Sequence, residues 1–95
     1  MIIYSDINLN PFIKINNINS IKFQYREDYM FDEEIENQTI MFIFSDYFRL
    51  YSKKNIQLIL NLIDFVQKKN RVILVGDLFF GNYYYSNKIF LFPIH

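Results

Sequence analysis

Three apolar runs in this chain each end in a small residue followed by an aspartate. They are residues 1–6 (MIIYSD), 40–46 (IMFIFSD) and 72–77 (VILVGD). Continuous apolar runs of this length are typical of strands that are covered on both faces, as in a parallel sheet. Parallel strands place their carboxyl ends at one edge, and open α/β sheets bind ligands at that edge. The three runs therefore predict both a sheet and the place where a ligand would bind.

The segment between the second and third runs has the periodicity of an amphipathic helix from about Ser52 to Lys69. Ser52 is a good N-cap residue, and Lys68 and Lys69 suit the negative end of the helix dipole. The apolar side chains cover an arc of about 220° at roughly 100° per residue. They are Ile56, Leu58, Ile59, Leu60, Leu62, Ile63, Phe65 and Val66. Because this arc exceeds what one sheet face requires, we expect the helix to contact another helix of this chain or another copy of it.

The helix lies between predicted strands at about 40–44 and 71–76, and together they have the length of a right-handed parallel crossover. We therefore predict an α/β fold, a small Rossmann-like or flavodoxin-like domain with a mainly parallel sheet. The length of 95 residues is appropriate for one domain, spanning residues 1–95.

Shorter patterns complete the prediction of secondary structure. They are a strand at 2–5, a short helix at 12–16 after Asn10-Pro11, an edge strand at 21–25, a turn at Gly81-Asn82 and an edge strand at 89–92.

The composition excludes several classes of protein. A hydrophobic fraction of 52% and a net charge of zero exclude a disordered chain. No apolar run approaches the roughly 20 residues that span a bilayer, and the N-terminus lacks a signal-peptide pattern. Because ten basic residues are balanced by ten acidic ones, the sequence indicates no nucleic-acid partner.

Codon usage and cysteine content give two further expectations. Residues with A/T-rich codons dominate, so we infer an A/T-rich genome. The chain has no cysteine, which excludes a disulfide framework and thiolate metal sites. This fits a reducing compartment, and we expect a cytoplasmic protein.

The predicted sheet edge carries Asp6, Asp46 and Asp77. If these carboxylates come together, they offer hard oxygen ligands for magnesium or manganese, with substrate phosphates completing the coordination. The alternative is that aspartate directly after a strand is a common turn former that needs no ligand.

Two other clusters attract attention. Six acids lie at Glu27, Asp28, Asp32, Glu33, Glu34 and Glu36. They fit the solvated face of a short helix from Asp32 to Asn37, or a surface for a cation or basic partner.

An aromatic cluster comprises Phe79, Phe80, Tyr83, Tyr84 and Tyr85. It fits core or subunit packing, or stacking on a flat ligand.

Histidine, cysteine and glycine chemistry is poorly represented. The only histidine is His95, the last residue, so a positioned base for Ser5 or Ser45 is not expected. The chain has two glycines, Gly76 and Gly81, and no glycine-rich phosphate loop.

The Ser5-Asp6 turn, or Ser45-Asp46 in its place, and the Gly76-Asp77 turn resemble two motifs of calcineurin-like metallophosphoesterases. The resemblance implies a metal site, but Asn8 or Phe48 stands where that family has histidine. It therefore implies at most a truncated or degenerate relative. The strand, helix, strand unit also resembles that of Rossmann-like cobalamin-binding domains, without their histidine motif.

The sequence favours a noncatalytic binding or protein-interaction domain, with a homo-oligomer or another protein as the partner. The excess of apolar side chains in so small a chain motivates this hypothesis. The predicted interface residues are Leu58, Leu62, Phe65, Phe79, Tyr83, Tyr84 and Tyr85. The alternative function is a degenerate or partial metal-dependent phosphoesterase.

Overall fold

A computed structural model of the chain describes residues 1–9, 11, 22–25, 34–50 and 52–92. These residues form a mixed α/β domain with a mostly parallel sheet and one α-helix. The strands are β1 (Ile2–Ser5), β2 (Lys22–Tyr25), β3 (Thr39–Ile43), β4 (Phe48–Arg49), β5 (Arg71–Phe80) and β6 (Tyr83–Phe92). A 3-10 turn (Lys53–Asn55) leads into the helix α1 (Ile56–Gln67).

Within the described residues the sheet has six strands in the order β2-β1-β3-β5-β4, with β6 also paired to β5. Strands β2, β1, β3 and β5 are parallel neighbours, and Ile3, Met41 and Ile73 lie in one cross-strand row. Strand β3 and strand β5 are joined through α1, which confirms the predicted strand, helix, strand unit. The predicted strands at 2–5 and at the edge near 21–25 are also present.

Strand β4 was not predicted and changes how the sheet continues. Phe48 and Arg49 pair in parallel with Leu78 and Phe79. Because β6 occupies the other edge of β5 along its whole length, β4 must lie on the same edge as β3, further toward the end of β5. After β3 the chain therefore leaves the sheet, forms a loop, and pairs again as β4 with the edge of β5 that β3 occupies.

The prediction that the third strand stops at Gly76 is wrong. Strand β5 continues to Phe80 and pairs antiparallel with β6 through a turn at Gly81-Asn82, where Gly81 has φ +64°. The turn was predicted, but β6 begins six residues before the predicted edge strand at Ile89.

The prediction of one helix over 52–69 is too long at both ends. Residues 53–55 form the 3-10 turn after Ser52, whose side chain makes no capping hydrogen bond. At the other end, Lys69 adopts a left-handed conformation with φ +65°. The N–H of Lys69 donates to Val66 and that of Asn70 donates to Phe65, both at 3.0 Å, which is a Schellman cap.

The core lies between α1 and one face of the sheet. Leu58, Leu62 and Phe65 of the helix are buried against a set of sheet residues. That set includes Ile2, Tyr4, Ile40, Phe42, Val72 and Leu74. We had predicted Leu58, Leu62 and Phe65 as interface residues, but they pack inside the chain because they lie on the one helix stripe that faces the sheet. The exposed apolar stripe of α1 is instead formed by Ile56, Leu60 and Ile63.

Asn70 joins the end of α1 to the segment before β3. Its buried amide group donates to the carbonyl oxygens of Ile35 at 2.6 Å and Phe65 at 2.9 Å. Its carbonyl oxygen accepts the N–H of Gln38 at 3.0 Å. Every polar atom of this buried side chain is therefore hydrogen-bonded, as a low-dielectric interior requires.

Some predictions fall on parts of the chain that the structure does not describe. The helix at 12–16 and the acids Glu27, Asp28, Asp32 and Glu33 lie outside the described residues. Residues 34–37 are not helical, so the helix predicted to run through Asn37 is absent from that part. No α-helix in the described ranges is long and apolar enough to cross a membrane.

Candidate functional site

Asp6 and Ser45 lie beyond the ends of two neighbouring parallel strands, β1 and β3. The order of the sheet reverses here, because the chain first adds β2 on one side of β1 and then β3 on the other. Such a reversal is the usual ligand-binding place of an open α/β sheet. The N–H of Ser45 donates to both carboxylate oxygens of Asp6, at 3.0 and 3.1 Å. Asp6 thus fastens the loop after β1 to the loop after β3.

Asp46 begins the return of the chain to the sheet. Its carboxylate accepts the N–H of Tyr47 at 2.7 Å, just before β4 begins.

The end of β3 is tightly packed against Gly76 of β5, because an added Cβ atom at Gly76 would lie 2.7 Å from the carbonyl oxygen of Phe44. Gly76 also has φ +142°, a conformation that side chains disfavour. The loop can therefore leave β3 only because position 76 has no side chain.

Asp77 lies inside strand β5, not at its end. Its carboxylate accepts the N–H of Asn87 from β6 at 2.6 Å. At this point β6 has one more residue than β5 between paired positions, and Asn87 has φ +48°. This is a β-bulge, and an unpaired N–H of the bulge is satisfied by the side chain of Asp77.

The three aspartates that we predicted as metal ligands each accept a backbone N–H. In the described part of the chain, no three His, Asp or Glu side chains are grouped closely enough to hold a metal ion. Only Asp46 has the local contact of a turn former, whereas Asp6 joins two loops and Asp77 joins β5 to the bulge in β6.

An aromatic–arginine cluster covers the sheet at the carboxyl end of β5, and consists of Tyr47, Arg49, Phe79 and Tyr84. The rings of Phe79 and Tyr84 stack with centroids 4.7 Å apart. Tyr47 meets both rings edge-on, at 6.0 and 5.7 Å. The guanidinium carbon of Arg49 lies 5.3 Å from the centre of the Phe79 ring, within the range of a cation–π contact.

The five aromatic residues that we predicted as one cluster separate onto two faces. Phe79 and Tyr84 belong to the aromatic–arginine cluster, whereas Tyr85 and Phe80 pack with Phe90 against the core. Tyr83 is exposed next to the turn. Alternation along a strand explains the separation, because successive side chains point to opposite faces.

Tyr47 and Arg49 were missed at the level of sequence. The sequence does contain a strand signal here, because the apolar Phe48 and Leu50 alternate with Tyr47 and Arg49. In the structure Phe48 and Leu50 are buried, and Tyr47 and Arg49 are exposed. Such alternation is typical of a half-exposed strand, but β4 is too short to stand out from a loop.

The aromatic–arginine cluster continues into an apolar patch on the same sheet face. Ile89 and Leu91 pair with Val75 and Ile73, which alternate with the core residues of β5 and so face away from α1. Ile89 is 73% exposed and Leu91 is 57% exposed. We call this surface, from Leu91 to Tyr84 and Arg49, the open sheet face.

A shallow depression of about 270 Å³ lies at the opposite end of the molecule, beside the end of α1. It is lined by Glu36, Asn37, Gln67, Lys68 and Lys69. Lys68 bonds to Asp64 at 3.1 Å, and this hydrogen bond raises the pKa of Lys68 above its usual value. The charges of Glu34 and Glu36 act in the same direction. The positive charge of Lys68 is therefore already paired with an acid of its own chain.

A scan against protein-family models and searches of curated proteins and solved structures found no match to this chain. The resemblance to calcineurin-like metallophosphoesterases gains no support from these comparisons. Its second motif also loses the expected context, because Gly76-Asp77 lies within a strand and not at a turn.

Proposed function

We propose that this chain is a noncatalytic protein-interaction domain, and that its contact surface is the open sheet face. One observation carries the proposal: Ile89 and Leu91 are largely exposed beside the apolar cross-strand partners Val75 and Ile73. Scattered apolar side chains on a surface are ordinary, but a contiguous patch with polar or aromatic neighbours is typical of protein interaction sites. Self-association or another protein partner would both use this surface.

Sedimentation velocity over a wide concentration range tests the self-association. We expect wild-type protein to shift toward a dimer, and the variant Ile89→Lys with Leu91→Lys to remain monomeric. Both side chains are exposed, so the variant should keep its melting temperature. Leu60→Lys, on the exposed stripe of α1, is the matched control and should associate like wild type.

Two results would count against the proposal. Loss of association in Leu60→Lys would place the interface on α1 and remove the open sheet face from it. A wild-type protein that stays monomeric at high concentration and captures no partner in pull-downs would remove the interaction function altogether.

The finer description of the fold is also a proposal. The parallel strands in the order β2-β1-β3-β5 correspond to the first four positions of the flavodoxin-like order. Strand β6 is antiparallel and stands where that order would continue. We therefore propose a reduced flavodoxin-like domain.

We also propose a cytoplasmic location, supported by the absence of cysteine.

The alternative function, a degenerate or partial metal-dependent phosphoesterase, has one observation in its favour. Asp6 and Asp46 follow β1 and β3, where the strand order reverses and ligands usually bind. Calorimetric titration with magnesium and manganese tests it, and the absence of divalent-ion binding would remove it.

A further inference from the structure

We infer that the aromatic–arginine cluster docks an acidic segment of another protein, with a partner carboxylate on Arg49. The inference rests on the proposed interaction function and specifies the chemistry of the partner. It concerns one end of the open sheet face, at Tyr47, Arg49, Phe79 and Tyr84.

Among the residues that the structure describes, Arg49 is a positioned cation that forms no ion pair. Its register opposite Phe79 and the cation–π contact hold the guanidinium over the ring. Asp46 and Asp77 are the nearby acids in sequence and register, but each accepts a backbone N–H, and neither forms an ion pair with Arg49. The planar guanidinium group matches a carboxylate with two parallel hydrogen bonds. A carboxylate from a partner would pair with this guanidinium.

The surrounding tyrosines provide the apolar part of the contact. Tyr47 is 66% exposed and Tyr84 is 45% exposed, and their mutual ring contacts restrict their side chains in advance. Preordered aromatic side chains lose little entropy on binding. Tyrosine and arginine are also the residue types that contribute most to protein interfaces. An acidic segment with apolar side chains fits both parts of the cluster.

The geometry favours a protein segment over other anionic ligands. Small molecules bind in concave sites that enclose most of their surface, whereas Tyr47 and Tyr84 project from a sheet. Nucleic acids require a row of cations along the phosphate backbone, and Arg49 is the only charged member of the cluster. From Tyr84 to Leu91 the open sheet face extends about 23 Å at about 3.3 Å per residue, which is long enough for an extended segment.

The probe is a synthetic decapeptide with the sequence EDYMFDEEIE, that of residues 27–36, because it combines six acids with four aromatic or aliphatic side chains. Its neutral counterpart carries Asn and Gln in place of Asp and Glu. We expect saturable binding of the acidic peptide in an NMR titration, with shifts at Tyr47, Arg49 and Tyr84. Arg49→Gln should weaken binding at least tenfold, and Arg49→Lys should weaken it also, because lysine lacks the planar group.

Lys53→Gln is the matched control, since it removes an exposed positive charge outside the cluster and should leave binding unchanged. Equal binding of the neutral peptide would overturn the inference. Binding of a ten-nucleotide thymidine oligomer in place of the peptide would also overturn it, in favour of nucleic acid.

Failure of the inference is distinguishable from failure of the proposed function. If wild-type protein associates through Ile89 and Leu91 but the peptide does not bind, only the inference fails. If the protein does not associate, captures no partner in pull-downs and does not bind the peptide, both fail. If Arg49→Gln abolishes self-association as well, the acidic segment belongs to a second copy of this chain, and the claim of another protein is overturned.

Discussion

At the residue scale, the three aspartates that follow a small residue at the end of an apolar run have three different structural roles. Asp6 joins two loops, Asp46 shapes its own loop, and Asp77 satisfies a bulge in the neighbouring strand. In all three cases the carboxylate accepts a backbone N–H that would otherwise lack a partner. These hydrogen bonds lie at exposed positions, where an aspartate that fixes nearby backbone needs no ligand to explain it.

Asp77→Ala tests the bulge contact. We expect it to lower the free energy of unfolding by about 1–2 kcal/mol, because the N–H of Asn87 loses a charged acceptor. Asp77→Asn keeps an oxygen acceptor and should retain most of the stability. Urea denaturation measures both effects.

Asp64→Asn is the control for removing a surface carboxylate. Asp64 forms an exposed ion pair with Lys68, so its loss should lower the stability much less than Asp77→Ala does. If magnesium raises the wild-type melting temperature and Asp77→Asn abolishes the effect, Asp77 is a metal ligand and the structural explanation is wrong.

At the element scale, the limits of prediction are visible in α1 and β5. Periodicity identifies the helix, but its apolar arc includes both the buried stripe of Leu58, Leu62 and Phe65 and the exposed stripe of Ile56, Leu60 and Ile63. No local signal separates the two stripes, because only the position of the sheet decides between them. Likewise, Gly76-Asp77 resembles a strand end until the pairing with β6 shows that the strand continues.

Lys69→Gly tests the cap at the end of α1. A non-glycine residue in the left-handed conformation carries a steric cost that glycine lacks. We expect a gain of about 1 kcal/mol in the free energy of unfolding, with part of the relief offset by the flexibility of glycine in the unfolded chain. Thermal or urea denaturation measures the gain.

Gln67→Gly is the matched control, two residues earlier in the helix. Gln67 is exposed and right-handed helical, so glycine there should lose about 0.5–1 kcal/mol. Destabilisation by both substitutions would contradict the Schellman cap described for Lys69 and Asn70.

At the scale of the whole molecule, the class of fold was predictable and the order of strands was not. Apolar runs and one amphipathic helix indicate a parallel α/β sheet, because each pattern is local. Strand order, the return of the chain at β4 and the exposure of one side of β6 depend on contacts between distant residues. For the same reason, Tyr47 and Arg49 join Phe79 and Tyr84 only in three dimensions.

Amide hydrogen exchange tests this arrangement across the sheet. Strands β1, β3 and β5 have a paired neighbour on both edges, whereas β6 has its only described partner in β5. Because amides exchange when their hydrogen bonds open, the slowest exchange is expected in β1, β3 and β5. In β6, amides directed toward β5 should be protected, and the alternate amides on the outer edge should exchange far faster.

NMR-detected exchange at low protein concentration resolves these amides one by one. The helix α1 provides an internal reference, because its central amides are hydrogen-bonded within the helix and report the opening of the core. Repeating the measurement at high concentration separates two modes of association. A partner on the open sheet face leaves the outer amides of β6 fast, whereas a partner strand on the edge slows them. Uniform protection of β6 at low concentration would contradict the sheet order, because it requires a second paired neighbour for this strand.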